Sequence, residues 1–127
     1  MLSNCFSFMK MMQLWWLLGL IIIYSPTAMA YKAQATWYNT GLGACGTNSN
    51  DDQMVVALPA PIANANCFKT VTLANAARPV GPIIVATVVD KCMGCSGMDI
   101  DISPAAFKAL NLGDLGSGRI FVDWSYN

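Results

Sequence analysis

The sequence VVDKCMGCSGMDIDIS, residues 88–103, carries the signals that decide the fold. It begins at the end of an apolar run, residues 82–89 (PIIVATVV), which predicts a strand buried on both faces, as inside a closed barrel or between packed layers. It ends on an alternating Asp-Ile-Asp-Ile segment, where Asp99 and Asp101 would point to the same face of a short strand, with isoleucines behind them. The stretch therefore predicts two strands with a cysteine-containing connection between them.

Downstream of this stretch the sequence predicts one helix and a closing strand. Ser103 is a favourable N-cap, Pro104 suits the first helical position, and Phe107 and Leu110 lie three residues apart on the side expected to be buried. Residues 118–126 (GRIFVDWSY) then alternate in the manner of a strand. We expect one face of that strand to carry Ile120, Val122, Trp124 and Tyr126.

Upstream, short apolar segments separated by turn residues predict further strands. Residues 33–38 (AQATWY) and 54–58 (MVVAL) are two of them, and a third lies around residues 68–73. Residues 59–66 contain two prolines and two asparagines, which predict a loop without regular structure. About six short strands with glycine-rich turns favour a small, mainly β barrel over an open sheet, which would leave an edge to protect.

The first 30 residues have the order of a secretory signal peptide. Lys10 precedes an apolar core, residues 14–24 (LWWLLGLIIIY), and the small-residue triplet 28–30 (AMA) precedes Tyr31. A retained membrane anchor is the alternative, which the short core disfavours, since a spanning helix needs about 20 apolar residues. We therefore expect one domain, residues 31–127, that is secreted, extracellular and free of the membrane after cleavage.

Composition and charge exclude several classes of function. The 127 residues include seven basic and seven acidic side chains and no histidine. The balance gives no reason to expect nucleic acid as a partner, and the missing histidine excludes histidine triads and histidine zinc sites. All seven acidic residues are aspartates, so acid–base chemistry would depend on aspartate. We expect a monomer with no cofactor and no metal.

Four cysteines remain after the predicted cleavage, namely Cys45, Cys67, Cys92 and Cys95, and they predict two disulfides in an oxidising compartment. Spacing leaves three connectivities open. We disfavour the one with a Cys92–Cys95 bridge, because that bridge would close only a tight local loop and constrain little chain entropy. A four-cysteine zinc site and a catalytic CxxC at residues 92–95 are the alternatives.

Four motifs in order resemble the double-psi β-barrel superfamily, which includes barwin, the first domain of expansins, rare lipoprotein A-like proteins and family 45 endoglucanases. They are Thr36-Trp37-Tyr38, Gly43-Ala44-Cys45-Gly46, Val88-Val89-Asp90-Lys91-Cys92 and Asp101-Ile102-Ser103-Pro104-Ala105-Ala106-Phe107, with Trp124 near the end. The resemblance implies a six-stranded double-psi β-barrel with one or two short helices. It is nearest to small secreted proteins that consist of this barrel alone, one bacterial member of which inhibits papain-like cysteine proteases.

The resemblance also implies roles for individual residues. Asp101 lies where the hydrolases have the aspartate of a His-Phe-Asp motif, which is their general acid, but here the histidine is replaced by another aspartate. The catalytic base of the hydrolases is replaced by Asn39 and Thr40, and asparagine does not titrate. Lytic transglycosylases share the equivalents of Asp90 and Asp101 but use a histidine as well. An acid candidate without a base makes hydrolysis the less favoured reading.

Candidate ligand-binding side chains combine carboxylates with aromatic rings. Sugar recognition needs apolar faces and a few polar groups, and this pattern is available in Trp37, Tyr38, Asp90, Asp99, Asp101, Trp124 and Tyr126. The structural alternative is that the aromatic residues are core or plug the barrel ends. The carboxylates would then have local roles: Asp90 would cap a turn or pair with Lys91 or Arg119, and Asp101 would accept N–H groups at the helix start.

Three functions follow from these observations. The first is a secreted, non-catalytic, expansin- or barwin-like protein that binds cell-wall polysaccharide or another extracellular target. The second is an inhibitor of a secreted cysteine protease, with residues 48–53 or 59–66 entering the enzyme's cleft. The third is a glycan-cleaving enzyme of the endoglucanase or lytic transglycosylase type, with Asp101 as acid and Asp90 or Asp99 as its partner.

Overall fold

A computed structural model describes residues 29–127, so the predicted signal peptide lies almost entirely outside the described residues. Six strands and two short α-helices, with a 3₁₀ turn, make up the fold. The strands are β1 (Tyr31–Trp37), β2 (Val55–Pro59), β3 (Thr70–Asn75), β4 (Ile83–Cys92), β5 (Ile100–Ile102) and β6 (Arg119–Tyr126). The helices are α1 (Ala60–Ala63) and α2 (Pro104–Leu110), and the 3₁₀ turn (Asn64–Asn66) follows α1.

The six strands close into a barrel in the order β1-β5-β2-β4-β3-β6. The β1–β5 and β2–β4 pairs are parallel and the other four pairs are antiparallel. In a closed barrel each strand finds hydrogen-bond partners on both sides, which removes the exposed edges of an open sheet. The prediction of a mainly β, six-stranded barrel with two short helices and two disulfides is confirmed.

Alternate residues of each strand point into the barrel and form the core. In β6, Ile120, Val122 and Trp124 are buried while the residues between them are more exposed, as the alternation predicts. Trp124 and Phe107 are the largest fully buried side chains, and the indole N–H of Trp124 donates to the carbonyl of Met98 at 2.9 Å. Burying an apolar side chain of this kind stabilises the fold by about 1.5–3 kcal/mol.

The prediction that β4 is buried on both faces is wrong for its first half. Ala86 and Val88 point into the core, but Ile83 and Val85 are 69% and 52% exposed. The barrel has a single interior, so the outward side chains of β4 remain in contact with solvent unless a helix or loop covers them. An apolar run therefore does not by itself show burial on both faces of a barrel strand.

Helix α2 confirms the predicted start at Ser103. The Ser103 hydroxyl accepts from the Ala106 backbone N–H at 3.3 Å and donates to the Gln53 carbonyl, so it links the helix to the segment before β2. Phe107 and Leu110 are buried, as their spacing predicts. This helix packs against β1 and β4.

Residues 59–66 are not the irregular loop that the sequence predicts. They form α1 followed by the 3₁₀ turn, with proline at the start of the helix, where its missing N–H costs no hydrogen bond. Ala63 is buried, and the Asn66 side-chain amide donates to the Ile62 carbonyl at 2.7 Å. Proline at the first helical turn and a local amide bond therefore favour the helical structure that the composition disfavours.

The disulfides join Cys45 to Cys67 and Cys92 to Cys95, with Cα–Cα distances of 5.6 and 5.4 Å. The preference against a Cys92–Cys95 bridge is wrong. Residues 93–94 form a turn directly after β4, and this turn brings the two cysteines to bonding distance, whatever the gain in chain entropy. Among residues 29–127, no helix is long and apolar enough to cross a membrane, and no cluster of three cysteine or aspartate side chains is placed to hold a metal ion.

Candidate functional site

A row of side chains crosses four neighbouring strands at the end of the barrel where β5 lies. Thr36 pairs with Asp101 across β1 and β5, and Ala57 of β2 pairs with Asp101 on one side and Asp90 of β4 on the other. The two aspartate Cα atoms are thus two strand spacings apart, about 9.5 Å. Ala57, which lies between the two aspartates, has a small and buried side chain, so no bulky group separates the carboxylates.

Asp101 is half-buried and interacts directly with Thr36, whose hydroxyl donates to its carboxylate at 3.1 Å. Burial raises the pKa of Asp101 above its ordinary value, and the nearby charge of Asp90 adds to the rise. The Thr36 hydroxyl, the Ile102 backbone N–H and the Arg119 guanidinium act in the opposite direction. The net effect is a raised pKa, so Asp101 is protonated more readily than an exposed aspartate.

Asp90 is held by backbone groups at the end of β4. Its carboxylate accepts from the N–H groups of Ala44 and Lys91, both at 2.8 Å. The register of β2 against β4 shifts by one residue here, which leaves Val89 unpaired with β2, and its carbonyl accepts the Cys45 N–H at 3.1 Å. The bulge thus binds the residue 43–45 segment, which in turn positions Asp90.

The first glycine of the Gly43-Ala44-Cys45-Gly46 motif is required by a close backbone approach. A Cβ at Gly43 would lie 2.2 Å from the Val89 carbonyl oxygen and 3.3 Å from the Asp90 Cβ. Only glycine allows the segment to approach the bulge this closely.

Tyr38 follows β1 and lies among the carboxylates. Its backbone N–H donates to the Ile102 carbonyl at 3.1 Å, which extends the β1–β5 pairing by one residue. Burial, and then the charges of Asp90, Asp101 and Asp51, raise the pKa of the Tyr38 hydroxyl well above its ordinary value. Tyr38 therefore remains a neutral phenol that can donate and accept hydrogen bonds.

Asp51 belongs to this cluster, although the sequence indicates it only within residues 48–53, as a segment that would enter a protease cleft. Its carboxylate accepts from the Asn39 side-chain amide at 2.9 Å and from the Thr40 N–H and hydroxyl at 2.8 and 3.0 Å. The Thr40 backbone bond, followed by the Asn39 and Thr40 side chains, lowers the pKa of Asp51. The signal in the sequence that could have indicated this position is the polar pair Asn39 and Thr40, whose side chains need hydrogen-bond partners.

Asp99 lies beside Asp101 and binds the neighbouring strand. Its carboxylate accepts the Gln34 backbone N–H at 2.8 Å, and the Gln34 side-chain oxygen accepts from Arg119 at 2.9 Å. These groups and the Cys92–Cys95 turn line a cavity of about 360 Å³, which we call the polar cavity. Its lining side chains are Gln34, Thr36, Lys91, Met93, Asp99, Asp101 and Arg119, with the two cysteines.

The aromatic candidates fall in three different places. Tyr38 lies with the aspartates. Trp37 is half-buried on the other side of β1, where its indole N–H donates to the Leu115 carbonyl at 3.1 Å. Trp124 is only 1% exposed and packs against Tyr31 and Tyr126, so it fills the barrel as the structural alternative describes and offers no ring face to a ligand.

The arrangement favours hydrogen bonding to hydroxyl groups over acid–base chemistry. Asp101 has the raised pKa of an acid, the lowered pKa of Asp51 makes it a weak base, and one oxygen of Asp90 accepts two backbone N–H groups. Asn39, where the related hydrolases have their base, donates its amide to Asp51.

Known proteins resemble this chain in both sequence and structure. The Streptomyces papain inhibitor superposes with a TM-score of 0.66 and 31% identity, over 80% of this chain and 96% of that protein. The chain belongs to the double-psi β-barrel superfamily. This double-psi barrel thus matches nearly the full length of the inhibitor.

Two further relatives of this double-psi barrel are longer proteins. The expansin of Clavibacter michiganensis, solved alone and as an aspartate-to-asparagine variant with cellohexaose, superposes with TM-scores of 0.66 and 0.67 at 27% and 26% identity, over 78% of this chain and 50% of the expansin. Allergen Asp f 7 of Aspergillus fumigatus is 42% identical over an alignment of 102 residues, which covers 74% of this chain and 36% of the allergen. The chain thus spans just over a third of the length of that curated relative. No protein-family model matches this chain.

Proposed function

We propose that this double-psi barrel is a secreted, non-catalytic protein that binds a neutral cell-wall polysaccharide in the polar cavity. The observation that carries the proposal is that Thr36, Asp101 and Arg119 line the same cavity, with the Thr36 hydroxyl bonded to Asp101. Carboxylate, hydroxyl and guanidinium groups at fixed positions match the neighbouring hydroxyls of a sugar ring.

The surroundings of the candidate carboxylates support binding over cleavage. Glycoside hydrolysis needs an acid and a second carboxylate that acts as base or nucleophile. Asp101 suits the first role, whereas the lowered pKa of Asp51 makes it a weak base, and one carboxylate oxygen of Asp90 already accepts two backbone N–H groups. A crystal structure of the Clavibacter expansin contains cellohexaose, which supports a glycan as the kind of partner.

Secretion rests on the sequence of residues 1–30 and on the two disulfides, which persist in oxidising compartments. Cleavage before Tyr31 would leave β1 intact, since that strand begins at Tyr31. N-terminal sequencing of the protein from culture medium should therefore begin at Tyr31.

A pull-down on insoluble cellulose, chitin and peptidoglycan tests the proposal. We expect the wild-type protein to be retained at low salt on at least one of them, and Asp101→Asn to lose about tenfold or more in affinity, because a charge-assisted hydrogen bond is lost. Asp114→Asn is the matched control, since Asp114 is exposed and binds only its own loop through the Gly116 N–H. Equal retention of Asp101→Asn would contradict the assignment of the cavity, and release of sugar products that depends on Asp101 would show an enzyme.

The second candidate function is inhibition of a papain-like cysteine protease. It is favoured by the likeness to the Streptomyces papain inhibitor over nearly the whole of that protein. Of the two candidate segments, we assign this role to residues 48–53, since residues 60–66 are helical. Titration of papain with the wild-type protein and with Asp52→Ala tests this function, and no inhibition at micromolar concentration would remove it.

A further inference from the structure

A second cavity, of about 460 Å³, lies on the outer face of β1 and β6. Its lining includes two cross-strand pairs, Gln34 opposite Phe121 and Lys32 opposite Asp123, together with Asp99. The Lys32 ammonium and the Asp123 carboxylate are 3.3 Å apart, so they form an ion pair at one end. We call this space the Phe121 cavity.

The Phe121 cavity continues the polar cavity. Gln34 and Asp99 line both, and they form the boundary between the two. This boundary is fixed, because the Gln34 N–H donates to Asp99 and the Gln34 side chain accepts from Arg119. Along β6, Arg119 in one cavity and Phe121 in the other are two residues apart, about 7 Å, and point to the same face. A ligand longer than one sugar ring in the polar cavity would therefore reach Phe121.

Phe121 is an exposed aromatic residue at the floor of this continuation. Its neighbours Ile120 and Val122 are buried, whereas Phe121 is 65% exposed. An exposed phenyl ring with hydrogen-bonding groups beside it matches the two surfaces of a pyranose, which has an apolar face and a rim of hydroxyls. Exposed Val85 on β4 lacks this setting, since it pairs with Thr72 of β3 on a different part of the barrel.

The charges that line the two cavities balance. Lys32, Lys91 and Arg119 provide three positive groups, and Asp99, Asp101 and Asp123 provide three negative groups. A polyanion or a polycation would meet as many like charges as opposite ones, so the surface gains little from either. A neutral chain that forms hydrogen bonds with both kinds of group fits better.

We propose that Phe121 forms a second sugar-binding subsite, and that the joined cavities hold several consecutive residues of a linear, neutral polysaccharide. The inference rests on the proposed function and extends it from a single site to a chain-length preference. Phe121 stacks on one ring, Lys32 and Asp123 bind its hydroxyls, and Gln34 bridges to the ring held by Asp101.

The test compares long and short oligosaccharides by isothermal titration, with the hexamers and trimers of cellulose and chitin as probes. We expect the wild-type protein to bind a hexamer more tightly than the trimer. Phe121→Ala should weaken the hexamer about five- to tenfold, because a stacked aromatic contact is lost, and should change the trimer less than twofold. Phe121→Trp should bind the hexamer at least as well as wild type.

The matched control is Val85→Ala, which removes another exposed apolar side chain, away from both cavities, and should bind like wild type. Circular dichroism and the melting temperature check that Phe121→Ala folds. Unchanged hexamer affinity in Phe121→Ala overturns the subsite and leaves the proposed function standing. No binding of any glycan by the wild-type protein overturns both. A fall in papain inhibition with no change in glycan affinity would assign Phe121 to a protein partner and overturn the subsite.

Discussion

Two loops border the row of Thr36, Asp101 and Asp90, and the protein fixes them in different ways. The loop of residues 39–53 is attached over a long range, through the Cys45–Cys67 disulfide and backbone bonds to the Val89 bulge. The loop of residues 93–99 is closed on itself, through the Cys92–Cys95 disulfide. The first positions two carboxylates, and the second forms a wall of the polar cavity.

The difference teaches that the two disulfides serve different purposes. The Cys45–Cys67 bridge spans 22 residues and restricts the unfolded chain, whereas the Cys92–Cys95 bridge spans three and fixes a local turn. Stability should therefore depend mainly on the first bridge, and the shape of the cavity wall on the second. The predictions below test this division.

The largest expected effect is on the long bridge. Replacing Cys45 and Cys67 by serine should reduce the free energy of unfolding by about 3 kcal/mol, because the loop-closure entropy of the unfolded chain is restored. Denaturant unfolding under non-reducing conditions measures it.

The Cys92→Ser and Cys95→Ser double variant is the matched control. The same relation gives about 2 kcal/mol for its shorter loop. A larger loss from this pair than from Cys45 and Cys67 would contradict the division of roles between the two bridges.

Gly43→Ala should destabilise the protein by about 1–3 kcal/mol, because its new methyl group overlaps the Val89 carbonyl and forces the residue 43–45 segment away from the bulge. Chemical denaturation of this variant and of Gly41→Ala gives the comparison, since a Cβ at Gly41 meets no atom within 4 Å. Equal stability of the two variants would show that the close approach at Gly43 is not required.

Asp51 should produce a smaller, pH-dependent effect. Its folded-state pKa lies below the ordinary value of 3.8, so its contribution to stability is present above that pH and is lost as the pH falls below it. Asp51→Asn should therefore flatten the decline in melting temperature below about pH 4. An unchanged decline would remove Asp51 from the residues that hold the 39–53 loop.

The effect of Asp101 on the pH dependence of stability should have the opposite sign to that of Asp51. Its folded-state pKa is raised, so the ionised carboxylate costs stability as the pH rises above 3.8. Asp101→Asn should melt no lower than wild type at neutral pH, although it binds glycan more weakly. A clear fall in its melting temperature would indicate a structural role for the ionised group.

Local sequence signals predicted much of the fold. The alternation in residues 118–126, the Ser103 cap and the paired aspartates before and within β5 each depend on neighbours close in the chain, and each is present in the structure. The even number of cysteines correctly predicted two disulfides.

Other features depend on contacts between distant segments. The disulfide pairing follows from a turn after β4 and from the binding of a loop at the bulge, neither of which spacing reveals. The position of Asp51 beside Asn39 requires the loop to fold back.

The most direct test of the central claim is a nuclear magnetic resonance titration of isotope-labelled protein with cellohexaose and chitohexaose. We predict that at least one hexamer shifts the backbone amide signals of Thr36, Asp101 and Arg119, and that the signals of Ile83 and Val85 do not move. Shifts confined to the β3–β4 face, or no shift with either hexamer at millimolar concentration, would contradict the assignment of the polar cavity as a glycan-binding site.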